Sequence, residues 1–130
     1  MSCSIVTTSG VSFGAYEARK TTAVESTGLV AFECRGVASG DMIMIQLGRD
    51  TAGSFVPRRM HHGAAKLEYN LYLDAARTRV WGDGTAGTNA YSVHPSNGRT
   101  TSVPIFGQIP ARQDVAPGHY HDQVLLTVLY

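Results

Sequence analysis

The sequence predicts an all-β fold of the sandwich type, and three observations carry that prediction. Helical periodicity is nearly absent: no window of about 11 residues keeps an i, i+3, i+4, i+7 apolar stripe free of glycine and β-branched clusters. Short runs of alternating polarity take its place. Between them fall turn-forming clusters, Ala38-Ser-Gly-Asp41, Gly82-Asp-Gly84, Ser96-Asn-Gly98 and Pro117-Gly118. Seven or so short strands separated by turns is the pattern of two packed antiparallel sheets.

Taken in order, residues 4–13 read as a first strand broken at Gly10, and residues 27–35 as a second. Residues 41–47 place Met42, Met44 and Gln46 on one face and Ile43, Ile45 and Leu47 on the other. Two mostly apolar faces suggest a central or covered strand. Residues 66–73 alternate Leu67, Tyr69, Leu71 and Leu73 against Lys66, Glu68, Asn70 and Tyr72. Residues 91–93 fit a short edge strand. Residues 100–109 form another, in which Pro104 marks a bulge or an edge. Residues 120–130 close the series, with Tyr120, Val124, Leu126, Val128 and Tyr130 on one face. No internal repeat or low-complexity linker divides the chain, so residues 1–130 read as one domain.

Composition narrows the function classes. The 130 residues are 43% hydrophobic and 16% charged, a folded chain rather than a disordered tail. Eleven Lys and Arg against ten Asp and Glu leave a net charge of +1, without the basic excess of a dedicated nucleic-acid domain. No apolar run approaches the roughly 18 residues of a membrane-spanning helix. The N-terminus shows no charged-then-apolar leader, so a secreted protein would have lost its signal already.

Cys3 and Cys34 lie in two strand-like runs. A bridge between them would close about 30 residues, worth roughly 3–4 kcal/mol by loop entropy, and would imply an oxidising compartment. The other reading is two buried free thiols. Their spacing matches no zinc pattern.

The remaining chemistry is sparse. In a strand, His119 and His121 share a face about 6.5–7 Å apart and are weak candidates for zinc or copper. Otherwise they are exposed polar residues. Arg58-Arg59-Met-His-His62 reads as a solvated basic loop. No nucleophile elbow, HExxH pair, phosphate loop or calcium loop is present. Asp74 and Asp83 read as turn closers. The expectation is a protein that is not an enzyme, with no cofactor.

These pieces form one ordered pattern. It runs from Cys3 through Val11-x-Phe13-Gly14-x-Tyr16 to a Gly28-containing strand ending at Cys34. It continues through Arg59-Met60, Leu67-x-Tyr69-Asn70-Leu71-Tyr72-x-Asp74 and Trp81-Gly82-Asp83-Gly84. Pro104-Ile-Phe-Gly107 and Gly118-x-Tyr120-x-Asp122 complete it. The pattern resembles the spore coat protein U domain family, which includes pilin subunits of archaic (Csu-type) chaperone–usher pili. The resemblance covers essentially all of residues 3–130.

It implies an incomplete immunoglobulin-like sandwich lacking its C-terminal, seventh strand, with an open groove beside the last strand. In such proteins a periplasmic chaperone fills the groove. The N-terminal extension of a neighbouring pilin then replaces it at the outer-membrane usher. On this reading Val6, Val11, Phe13, Tyr120, Val124, Leu126, Val128 and Tyr130 form the acceptor groove and edge. The protein would pass through the periplasm into a surface fibre supporting adhesion and biofilm formation. Family pilins carry a donor segment before the first Cys, whereas only Met1 and Ser2 precede Cys3 here. As given, the chain is expected to accept a strand and not to donate one. Two alternatives stand beside it. One is a tip adhesin, with Tyr91, Phe55 and Trp81 as loop candidates for a binding surface. The other is a secreted spore or extracellular coat protein assisted by metal at His119 and His121.

Overall fold

A computed structural model describes residues 1–130 and contains only strands, turns and irregular segments. The strands are β1 (Ser2–Ser9), β2 (Val24–Arg35), β3 (Ile43–Leu47), β4 (Arg58–His62), β5 (Ala65–Tyr72), β6 (Tyr91–Val93), β7 (Thr100–Ile109) and β8 (Leu126–Leu129). They build an antiparallel five-stranded sheet, β1-β2-β7-β5-β4, and an antiparallel three-stranded sheet, β6-β3-β8. The inner faces meet at Val30, Phe32, Leu67, Leu71, Val103 and Ile105 of the first sheet and Ile43, Ile45 and Leu47 of the second. Period-two alternation turns these side chains inward and leaves the polar partners outside.

Cys3 lies directly opposite Cys34 in the β1–β2 ladder, and the two form a disulfide. This tethers an otherwise exposed edge strand to the long central strand β2. β3 is central in its sheet, but the chain does not cover its outer face. Met42 and Met44 stay 50% and 37% exposed.

Three expectations are corrected. The 58–62 basic run is strand β4 and not a solvated loop. Arg58, Met60 and His62 alternate with Arg59 and His61 as a strand requires, but the leading inward residue is a cation, so hydrophobic periodicity hides the pattern. Arg58 is fully buried. Its Nη2 donates to the carbonyls of Gly48 and Trp81, each at 2.7 Å, and its Nη1 donates to Asn70 Oδ1 at 2.9 Å. Burial pushes the guanidinium below its ordinary pKa.

The last strand is also shorter than residues 120–130. The segment before it meets β4 through a bridge between His61 and His121, then leaves that sheet and joins β3 only from Leu126. It crosses from one sheet to the other, so neither ladder holds it throughout. The N-terminal segment runs instead across the face of its own sheet, over Gly28 of β2 and Gly107 of β7. β1 ends at Ser9, and residues 10–16 cross the sandwich until Tyr16 and Gly118 exchange both backbone hydrogen bonds, at 2.7 and 3.0 Å.

Trp81 and Phe55 are core residues and not loop anchors, at 0% and 2% exposure. Trp81 Nε1 donates to the Ile45 carbonyl at 2.9 Å, tying the Gly82-Asp-Gly84 turn to β3. Phe55 is covered by the Arg49 guanidinium, 4.4 Å from the ring centre. Tyr91 is half-buried against Trp81. Asp74 and Asp83 do close turns: Asp74 accepts from the N–H groups of Thr78 and Arg79, and Asp83 from that of Thr85.

Candidate functional site: an apolar groove between the two crossing segments

The two crossing segments bound a groove of about 630 Å³. One wall is the end of β1 with residues 10–14, and the other is residues 119–122 with Val124 and Leu126. Leu47, Met60, Tyr69, Leu71 and Ile105 supply the floor.

The first wall exists because two strands of the floor sheet carry glycine. A Cβ on Gly28 would lie 2.5 Å from the Ser9 carbonyl oxygen. A Cβ on Gly107 would lie 2.6 Å from Val11 Cγ1 and 2.7 Å from Phe13 Cζ. Without those carbons, Val11 and Phe13 settle directly onto the sheet. Ser26 Oγ donates to the Ser12 carbonyl at 2.7 Å and pins the segment between them. Phe13 meets Tyr69 edge to face, with ring centres 6.4 Å apart.

The second wall is held by aromatic and polar contacts. Tyr120 packs edge-on against Tyr16 and lies 5.3 Å, centre to centre, from the His62 ring. His62 Nδ1 donates to the His119 carbonyl at 2.9 Å. Tyr69 OH donates to Asp122 Oδ2 at 2.6 Å, and the Thr51 N–H donates to Asp122 Oδ1 at 3.2 Å. Burial first, and the Asp122 hydrogen bond second, push the Tyr69 phenol well above its ordinary pKa. It therefore stays a neutral donor across the biological pH range, and the latch to Asp122 persists. Farther along, the Gly48 N–H donates to the Leu125 carbonyl at 2.8 Å as the segment reaches β3.

Past the groove, β8 pairs with β3 alone and β1 with β2 alone, so each presents one unpaired edge. Such edges template the addition of another strand. A mostly apolar channel flanked by free backbone donors and acceptors suits an extended segment whose alternate side chains point into the floor.

Of the residues expected at the groove, Val11, Phe13, Tyr120, Val124 and Leu126 come together there. Val128 packs against the core from β8. Val6 sits at a register shift in β1 and is 53% exposed, apart from the groove. Tyr130 lies beyond the other end of β8, in a shallow depression with Met42, Met44 and Leu129. Of the floor, the sequence marks Leu47, Tyr69 and Leu71 as inward-facing strand residues, whereas it does not assign Met60 and Ile105 to the groove; the interior glycines of β2 and β7 are the remaining signal. No three His, Cys, Asp or Glu side chains gather into a metal-binding group. His121 stands opposite His61 on β4, while the His119 carbonyl is held by His62.

Comparison with known proteins agrees with this architecture. Residues 1–127 match the model of the Spore Coat Protein U domain. The chain is 33% identical over 111 residues to Protein U of Myxococcus xanthus, across 80% of this chain and 59% of that protein. It therefore spans about three-fifths of that relative's length. Among solved structures, it resembles a chain of the CsuC–CsuE chaperone–tip adhesion subunit pre-assembly complex from the archaic chaperone–usher Csu pili of Acinetobacter baumannii. The TM-score is 0.61 at 16% identity, covering 99% of this chain and 40% of that one. At that identity the likeness establishes a shared fold.

Proposed function

We propose, since this chain belongs to the Spore Coat Protein U domain family, that it is a structural subunit of an archaic chaperone–usher surface fibre, built to accept a strand from another chain. The groove between the crossing segments carries this reading. Its floor is apolar and its flanking strands, β1 and β8, each have a free edge. The occupant is a periplasmic chaperone during transit past the outer-membrane usher, and a neighbouring subunit in the finished fibre. The chain's role is then mechanical, in adhesion and biofilm formation at the cell surface. Burying four or five donor side chains, each worth roughly 1.5–3 kcal/mol, rivals the roughly 5–15 kcal/mol that holds an ordinary domain together.

The test adds synthetic peptides with alternating large apolar residues and follows thermal unfolding. Saturation at 100 times Kd stabilises by about 2.7 kcal/mol, which raises Tm by roughly 8–15 °C. Leu126→Asp at the groove should abolish the shift. If no donor-like peptide stabilises the wild-type chain, the acceptor reading fails.

An adhesive role on the same fold is the second reading. It is favoured by the apolar outer patch of Met42, Met44, Leu129 and Tyr130, in which Tyr130 is 63% exposed. Surface-attachment assays with Met42→Ser and Tyr130→Ser separate the two roles, because a shaft subunit keeps its attachment.

A further inference from the structure

We propose that His61 and His121 form a two-histidine site for a divalent transition-metal ion of the zinc and nickel class, clamping the groove's second wall to β4. The two residues exchange both backbone hydrogen bonds: His61 N–H donates to the His121 carbonyl at 2.8 Å, and His121 N–H donates to the His61 carbonyl at 3.1 Å. Residues paired this way in antiparallel chains stand directly opposite, about 5.5 Å apart at Cα, with side chains on the same face.

That face is the outer one. Met60 of β4 is in the core, the exposed His62 ring is taken up by Tyr120 and the His119 carbonyl, and Asp122 of the crossing segment is held by the Tyr69 latch. His61 is partly exposed and His121 exposed, so both imidazoles are accessible to an ion. Imidazole nitrogen is a good ligand for zinc, nickel and copper, and water completes the shell in an open site.

The neighbours set the strength. On the other flank His61 pairs with Lys66 of β5, and Arg59 lies two residues along β4. Arg59 is ion-paired with Glu68 at 3.7 Å, so Lys66 is the cation that opposes a bound metal ion; the site is of moderate affinity and Lys66→Ala tightens it. The isolated bridge is the only backbone pairing between residues 119–122 and β4. A metal across it adds a cross-link where the wall is otherwise held by side chains.

The experiment titrates the full 130-residue chain with zinc chloride, and separately with nickel chloride, in a metal-free, non-chelating buffer. Isothermal calorimetry reads affinity, and NMR of the imidazole groups reads location. Saturable binding is expected, with shifts confined to His61 and His121. His61→Asn and His121→Asn should each weaken binding by about tenfold or more. His94→Asn, on the far side beside Asp41, should leave it unchanged. Near-UV circular dichroism shows that each variant keeps its fold. The proposal is overturned if no saturable binding occurs at millimolar metal, or if the His61→Asn, His121→Asn double variant binds as wild type does. It is equally overturned if His119→Asn abolishes binding while His61→Asn does not, which would place the metal on the two histidines of one strand.

Discussion

Arg58→Met replaces a buried guanidinium with an apolar chain of similar length. Four acceptors lose a donor: the Gly48 carbonyl, reached by Nη2 at 2.7 Å and Nε at 3.1 Å, the Trp81 carbonyl at 2.7 Å, Asn70 Oδ1 at 2.9 Å, and the Leu47 carbonyl, the weakest, at 3.5 Å. A buried acceptor left unpaired costs about 1–3 kcal/mol. Asn70 Oδ1 keeps one partner, the Leu71 N–H at 2.9 Å, which trims its share. Against these losses stands the relief of no longer desolvating a full charge, worth several kcal/mol. The expected net loss is about 3–4 kcal/mol. In urea denaturation, with a slope of about 1–3 kcal/mol/M, the midpoint falls by roughly 2 M. Arg58→Lys retains charge but loses the planar fork that reaches several acceptors at once, so it should recover less than half of the loss. A loss under about 1 kcal/mol for Arg58→Met would refute the view that this network holds β4, the 48-region turn and the Trp81 loop together.

Two further outcomes follow from the same geometry. Gly28→Ala and Gly107→Ala both overpack the first groove wall, at a typical cost of 1–3 kcal/mol, about. Gly28→Ala should sit at the upper end because its Cβ meets the backbone oxygen of Ser9, whereas Gly107→Ala meets the ends of Val11 and Phe13 side chains. Thermal melts showing the reverse order would contradict this account. Asp74 is held below its ordinary pKa of 3.8, chiefly by the Thr78 hydroxyl and next by the Arg79 N–H. A depressed carboxylate contributes stability that is complete above its unfolded value and is lost as pH falls through its folded value. Thr78→Val should therefore raise the Asp74 pKa in a carboxyl NMR titration. It should also flatten the decline in stability below about pH 4.

Much of the architecture was legible because it rests on local alternation. Ile43, Ile45 and Leu47 face inward as their spacing indicates, and Leu67, Tyr69 and Leu71 do the same. The turn aspartates were readable because a short carboxylate caps nearby backbone N–H groups wherever it sits. β4 escaped notice because its first inward residue is charged. Only the convergence of Leu47–Gly48, Asn70 and Trp81, from three separate parts of the chain, makes a cation acceptable there. Trp81 and Phe55 looked like loop residues because their neighbours in sequence are turn formers. Their neighbours in space are β3, Arg49 and Arg58.

The groove divides in the same way. Val11, Phe13, Val124 and Leu126 are assigned to a groove through the family resemblance, while alternation alone marks only Val124 and Leu126 as sharing one face of the last run. The sequence by itself thus determined most of the strands other than β4, their inward faces and the pairing open to the two cysteines, all properties of short-range pattern. Only the tertiary structure decided that the first segment crosses the face of its own sheet, that the last leaves one sheet for the other, and that the two meet at Tyr16 and Gly118 with a channel between them. It also decided that His121 stands across from His61 of β4. Register between distant segments depends on how both fit one shared core, and no local period encodes that fit.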